Sequence, residues 1–312
     1  MGQSIRVPAA EVRAPAEVSK LPLRPRPEGA QVPGYVWDAR KTSSHAMAFG
    51  TGQVALKVPD MDVLVLRALQ EAGVHPNLLA VLDLFYSDGS VYLVTQWCPG
   101  GHLQNALDQR QWSSPVLRAI SPGFEVGLCM AWTSQLLGAL SFLHEQRILH
   151  RSIRPESCIL DSERIVESNL VLGNFSQSSR LHVNNVMIDR PQGPLPGSAS
   201  YMAPELKRQA MSSTDRPIEI KSDCWSVGCL LFLMLEGKPA FSYSEFPKRA
   251  EKGQYLQPRG PKEVRDFLAT LLEVDYVRRA DAQSAWVEAQ RLCGQFPRSS
   301  DVEADQRAML LT

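Results

Sequence analysis

The 312-residue chain lacks several things, and each absence narrows what it can be. It has no net charge, since 33 Lys plus Arg balance 33 Asp plus Glu. That removes the diffuse basic field that draws proteins onto nucleic acid, so no nucleic-acid partner is expected. Its most apolar stretch, Val227 to Leu235, is far shorter than the roughly 20 residues a bilayer span needs, so no membrane span is expected. The six cysteines (Cys98, Cys129, Cys158, Cys224, Cys229 and Cys293) form no CxxC pair and sit among apolar neighbours without a spaced His. They read as reduced, buried thiols, with no metal site and a cytoplasmic location expected, the nucleus remaining open. One local absence matters more later: from Val36 to Ala46 there is no glycine.

What is present is ordered along the chain. Residues 1–34 hold Pro8, Pro15, Pro22, Pro25, Pro27 and Pro33 and few large apolar residues, which predicts a disordered or extended leader. Pro22-Leu-Arg-Pro25 has the spacing of a polyproline-groove ligand, although a solvated linker is the more common meaning of such a tail. Residues 35–98 carry strand-like runs, Met47-Ala-Phe49 and Val54-Ala-Leu-Lys57-Val58, around the turn signal Gly50-Thr-Gly52. A helical recurrence of Leu64, Leu66, Leu69 and Val74 follows, then strands over Leu78–Phe85 and Val91–Trp97 around Ser87-Asp-Gly89. Residues 99–297 are mostly helical in pattern, and 298–312 read as a tail. Sheet-rich followed by helix-rich segments predict an α+β protein of two lobes.

Short motifs then fall in register. Val54-Ala-Leu-Lys57 stands ahead of the helix, with Asp62 beyond it. His75-Pro-Asn77 and Tyr92-Leu-Val-Thr-Gln-Trp-Cys-Pro-Gly-Gly101 precede His150-Arg-Ser-Ile-Arg-Pro-Glu-Ser157, Asn174-Phe-Ser176, Ala203-Pro-Glu205, Asp223-Cys-Trp-Ser-Val-Gly228 and Arg279. In this order they resemble the VAIK, HRDLKPEN, DFG, APE and DxWSxG signatures of the protein kinases. The resemblance covers about Tyr35 to Leu292, and Ser198 ahead of Tyr201-Met-Ala gives it a Ser/Thr-kinase character. It implies a bilobal kinase fold with a small β-sheet plus one helix, then a mostly helical lobe.

The same comparison exposes differences in the cleft. The glycine-free stretch stands where the phosphate-cradling loop belongs, and side chains there keep backbone N–H groups off a phosphate. Ser152 takes the position of the catalytic Asp, Ser157 that of a metal-holding Asn, and Asn174 and Ser176 replace the ends of DFG. A hydroxyl without a base beside it is a poor proton acceptor, and an amide lacks the charge that holds Mg²⁺ beside phosphates. The resemblance therefore implies a pseudokinase, not an enzyme, with no catalytic residues, no Mg²⁺ and no ATP cofactor expected. A vestigial nucleotide pocket would be lined by Ala55, Lys57, Asp62, Thr95, Gln96, Trp97, Cys98 and Ile159. Lys57 reads equally as a remnant nucleotide contact or as a strand Lys with its head in solvent. His150, Phe175, Glu205, Asp223 and Arg279 are expected to be structural, Glu205 and Arg279 as a buried pair. The expected role is a protein-binding scaffold or allosteric regulator with protein partners; a nucleotide switch without turnover and an unorthodox metal-independent transferase are the alternatives.

Overall fold

The computed structural model describes residues 24–25, 46–49, 53–58, 63–87, 90–111, 123–181, 199–206, 220–241, 250 and 252–301. The small lobe is a five-stranded sheet. Strands β2 (Ala46–Phe49) and β3 (Gln53–Val58) pair antiparallel, Phe49 opposite Gln53, so the Gly50–Gly52 stretch joins neighbouring strands; its own conformation lies outside the described residues. β3 pairs antiparallel with β5 (Ser90–Gln96), which pairs antiparallel with β4 (Val81–Ser87). A two-residue strand, β1 (Arg24–Pro25), runs parallel to β4 at the sheet edge, so part of the proline-rich leader is extended on the sheet; the rest of 1–34 lies outside the described residues. Proline fits an edge because it has no N–H to offer an inner ladder.

Helix α1 (Val63–Ala72) presents Val65, Leu66 and Leu69 to the core. It stops at Gly73, whose φ of 100° is open to glycine and strained for other residues. Val74, included in the helical recurrence by its spacing, therefore falls outside the helix and is 82% exposed. The chain from 77 to 79 then laces the small lobe to the helical one. Leu79 donates its N–H to the Leu172 carbonyl (2.9 Å), Leu172 donates to Asn77 (2.9 Å), and the Asn77 amide donates to Leu170 (3.0 Å).

The helical lobe is built on α3 (Val126–Glu145) and α4 (Ser222–Glu236), both buried on nearly every face. Such helices are apolar all round because they are surrounded. By length and composition α3 is apolar enough to cross a membrane, but 72% of its most apolar window is inside the protein core. Among the described residues, helices α2 (Leu103–Gln111), α5 (Lys262–Leu271) and α6 (Ala282–Gln295) belong to the same lobe. Asp281 caps α6 by accepting the Ser284 N–H (2.8 Å). Close helix approach needs glycine at two points: a Cβ on Gly138 would lie 3.1 Å from the Trp286 ring, and one on Gly228 2.9 Å from Leu272. Two small ladders pack against the helical lobe: β6 (Gly101–His102), β8 (Cys158–Leu160) and β9 (Leu170–Leu172), and β7 (Ile148–Leu149) with β10 (Ser179–Arg180). They hold the loops that carry the motifs.

Candidate active-site cleft

The loop from His150 to Ser157 links β7 to β8, and its shape is set from below by one carboxylate. Asp223 lies in the first turn of α4, where the helix dipole favours an anion. It accepts the N–H of His150 (2.9 Å) and of Arg151 (2.8 Å), and its Oδ2 lies 3.1 Å from His144 Nε2. Burial alone would raise the Asp223 pKa, but His144 beside it and the hydrogen bonds it accepts together bring it below the usual carboxylate value. The two backbone bonds hold Arg151 at a φ of 63°, a conformation a non-glycine residue adopts only when its surroundings fix it.

His150 is fully buried and reads both neighbours of the loop. Its Nε2 donates to the Gly173 carbonyl (2.9 Å), which leaves Nδ1 to accept the Ser152 N–H (3.3 Å). This arrangement fits a neutral ring, and burial pushes its pKa down, against the opposing pull of Asp223 and Gly173. The ring packs edge-on against Phe175 with centroids 5.5 Å apart, both inside the core that includes Leu66. Asn174, between Gly173 and Phe175, has a φ of 60° and is exposed.

Several polar groups of the cleft bond one another. Ser157 Oγ donates to the Ser152 carbonyl (2.5 Å), and Gly173 donates its N–H to the Ser157 carbonyl (2.8 Å). Ser176 Oγ donates to Asn174 Oδ1 (2.8 Å). Ser152, Ser157, Asn174 and Ser176 are all uncharged, while Arg151 and Arg154 lie in the same loop. Arg154 faces only a loose ion pair, its Nε 3.7 Å from Glu156 Oε2, and that Nε is buried without a hydrogen-bond partner. Mg²⁺ takes oxygen ligands with at least one carboxylate, held rigidly. The two positions from which kinases hold it offer one hydroxyl, Ser157, and one amide, Asn174, with no carboxylate, so these residues do not fit the ion.

The back of the cleft is apolar. A Cβ on Gly173 would lie 3.1 Å from Ile159 Cδ1 and 3.2 Å from Leu79 Cδ2, so glycine there lets the loop settle against both. Ala55 and Lys57 are on β3, Ala55 opposite Val94 and Lys57 opposite Tyr92; their side chains, and Asp62 entirely, lie outside the described residues. Thr95 is buried, its hydroxyl donating to the Gln96 carbonyl (3.1 Å), and Gln96 Nε2 donates to Cys98 Sγ (3.7 Å). Burial pushes the Cys98 thiol up, with Gln96 opposing. Trp97 instead is 58% exposed.

Behind the cleft, Glu205 and Arg279 form two parallel bonds, Nη1–Oε1 at 2.6 Å and Nη2–Oε2 at 3.0 Å. Arg279 is wholly buried; it also donates to the carbonyls of Glu273 (2.8 Å) and Lys221 (3.2 Å), and its guanidinium lies 5.1 Å from the centre of the Trp225 ring. One side chain thus ties the segment after Ala203-Pro204 to the start of α4 and to the α5–α6 connection. Three contributors had no role assigned from sequence: His144, Arg154 and the Leu79–Gly173 contact. His144 and Arg154 stand within or near recognisable motifs, but only the fold brings His144 to Asp223.

Residues 60–288 match the protein kinase domain family, and the chain belongs to that family. It is similar to the human serine/threonine-protein kinase ULK3 (28% identity over 70% of this chain and 43% of the relative). It is also similar to the serine/threonine-protein kinase PKH2 of Saccharomyces cerevisiae (25%, over 68% and 19%). A third relative is the calcium/calmodulin-dependent serine/threonine-protein kinase of Malus domestica (27%, over 71% and 50%). The chain thus spans half or less of these proteins. Their names correct one expectation: the relatives are protein kinases, which points to an enzyme, and the reading of this chain as a non-enzyme is overturned. The substitutions at 152, 157 and 174 set how such an enzyme would have to be built, since whatever transfer it performs runs without a carboxylate at those positions.

Proposed function

We propose that this kinase-family chain acts by docking protein partners and regulating them, on a scaffold that its relatives use for phosphoryl transfer. The supporting observation is the contrast within one site. Asp223 under the loop, the His150–Phe175 stack and the Glu205–Arg279 pair are assembled with full hydrogen bonding. The cleft they frame holds neutral side chains at 152, 157 and 174 in place of the groups that grip metal and substrate hydroxyl. Such a scaffold presents a fixed surface, and the segment between Asn174 and Pro204, rich in Pro191, Pro194 and Pro196, is the docking element in this reading.

The test compares docking with transfer on the same preparations. Cell extract is passed over wild type, over Lys57→Ala, and over a chain whose residues 183–194 are replaced by a Gly-Ser linker. Phosphate incorporation from ATP is measured in parallel. The reading expects Lys57→Ala to keep the partner set and the linker chain to lose it while melting unchanged. Loss of partners in Lys57→Ala, together with loss of phosphate incorporation, would show that partners are held as substrates instead.

A further inference from the structure

The stretch after α6 is tied at two points to the N-terminal end of α3 and at two to the neighbouring segment 166–168. The Pro297 carbonyl packs against Gly127, where an added Cβ would come within 2.2 Å of it. Arg298 Nη1 donates to the Ser168 carbonyl (3.5 Å) while its Nε engages Asp301 (2.9 Å). Ser300 Oγ donates to the Val166 carbonyl (3.0 Å). The strongest tie is Ser299, whose N–H (3.0 Å) and hydroxyl both donate to the carboxylate of Glu125, the residue that precedes α3.

Ser299 is exposed, and acidic residues follow it at Asp301 and Glu303. We propose that Ser299 is a phosphorylation site, written by a protein kinase that reads acidic residues C-terminal to its serine, and that the phosphate unties this strap. In the step, Ser299 Oγ attacks the γ-phosphorus of ATP, the bond from that phosphorus to the β–γ bridging oxygen breaks, ADP leaves, and the hydroxyl proton passes to the writing kinase.

The charge consequence follows from the contact. A hydroxyl that donates to Glu125 becomes a group of charge −1.5 to −2 with acceptor oxygens only. Two anions then face each other where a hydrogen bond stood, and the nearby guanidinium of Arg298 is already engaged with Asp301 and Ser168. Ser299 opens a helical turn, so its phosphate can take over the backbone N–H that Glu125 now accepts. The helical turn therefore persists while its tie to α3 breaks.

The experiment uses the full chain, ATP and an acid-directed serine kinase, with mass spectrometry to place the phosphate and amide hydrogen exchange to follow Val126–Cys129 and Glu167–Ser168. Phosphate on Ser299 with at least tenfold faster exchange at both stretches, and return to within about twofold in Glu125→Gln, is the expected result. Ser299→Ala, which removes one hydrogen bond without adding charge, changes exchange much less. The proposal is overturned if intact protein takes no phosphate at Ser299, if phosphorylated protein exchanges as the unmodified one does, or if Ser299→Ala opens the strap as far as the phosphate.

Discussion

Arg279 shows how much of this fold hangs on single side chains. Its guanidinium is fully out of water and answered by Glu205, two carbonyls and the Trp225 face. Removing it strands the Glu205 carboxylate, which costs on the order of 3–5 kcal/mol. For a domain of this size each kcal/mol is roughly 2–4 °C, so Arg279→Ala is expected to melt about 6–20 °C lower in a thermal scan. Melting within a degree or two of wild type would contradict the pair's importance. Asp223 and His150 make a second prediction, in pH. His150 has a folded pKa below its ordinary value, so its neutral form is bound to the fold. Its contribution is complete above about pH 6.5 and drains away as pH falls towards the folded value. His75 and His102 are held low by burial as well and add to the same window. Asp223, also depressed, contributes above its ordinary value of 3.8 and is lost as pH falls below that. Stability measured by urea melts is thus expected to decline in two stages on acidification. In Asp223→Asn the lower stage shrinks, with Asp281 and Glu288 still contributing to it, from a starting stability about 2–3 kcal/mol smaller because buried donors lose a charged acceptor. A curve for Asp223→Asn that parallels wild type below pH 4 would contradict this.

The elements were readable where one physical signal dominated. Helices α3, α4, α5 and α6 carry their apolar residues, or their caps, within two or three residues of the ends the structure shows. The small lobe was readable as strands because Val, Leu and Tyr recur in short runs between glycine-containing turn signals. What was not readable is what depends on distant chain. Leu78 looked like the start of a strand, yet it makes a single bridge to Leu172 and the strand begins at Val81. The two Pro-rich leader residues on the β4 edge had no local signal, since proline and arginine are poor strand formers. Within the cleft, the identities at 152, 157 and 174 were legible directly, but their mutual hydrogen bonds were not, because a serine has too many available partners in sequence. Helix packing supplies an element-scale prediction. Gly228→Val places branched carbons against Leu271 and Leu272, where even a Cβ meets atoms at 2.9–3.0 Å. Overpacking of this kind costs about 1–3 kcal/mol, to be read as a lower urea midpoint. An unchanged midpoint would show that α4 and α5 can slide apart at no cost.

At the scale of the molecule, two lobes of a protein kinase enclose a cleft whose side chains at the family's base and metal positions are neutral. A kinase cleft of the usual composition draws in nucleotide with Mg²⁺, because carboxylates hold the ion and the ion bridges the phosphates. Here the amide of Asn174 is bonded to Ser176 and the hydroxyl of Ser157 to the loop itself. Charge in the loop is that of Arg151 and Arg154 against the single carboxylate of Glu156, which pairs loosely with Arg154. The most direct measurement is the melting temperature of the full chain with saturating ATP, with Mg²⁺ and with EDTA in its place. A ligand at a hundredfold excess over its dissociation constant adds about 2.7 kcal/mol, a shift of several degrees. The account predicts that replacing EDTA by Mg²⁺ moves the ATP-bound melt by less than about one degree. A Mg²⁺-dependent rise of several degrees, abolished by Asn174→Ala, would contradict it.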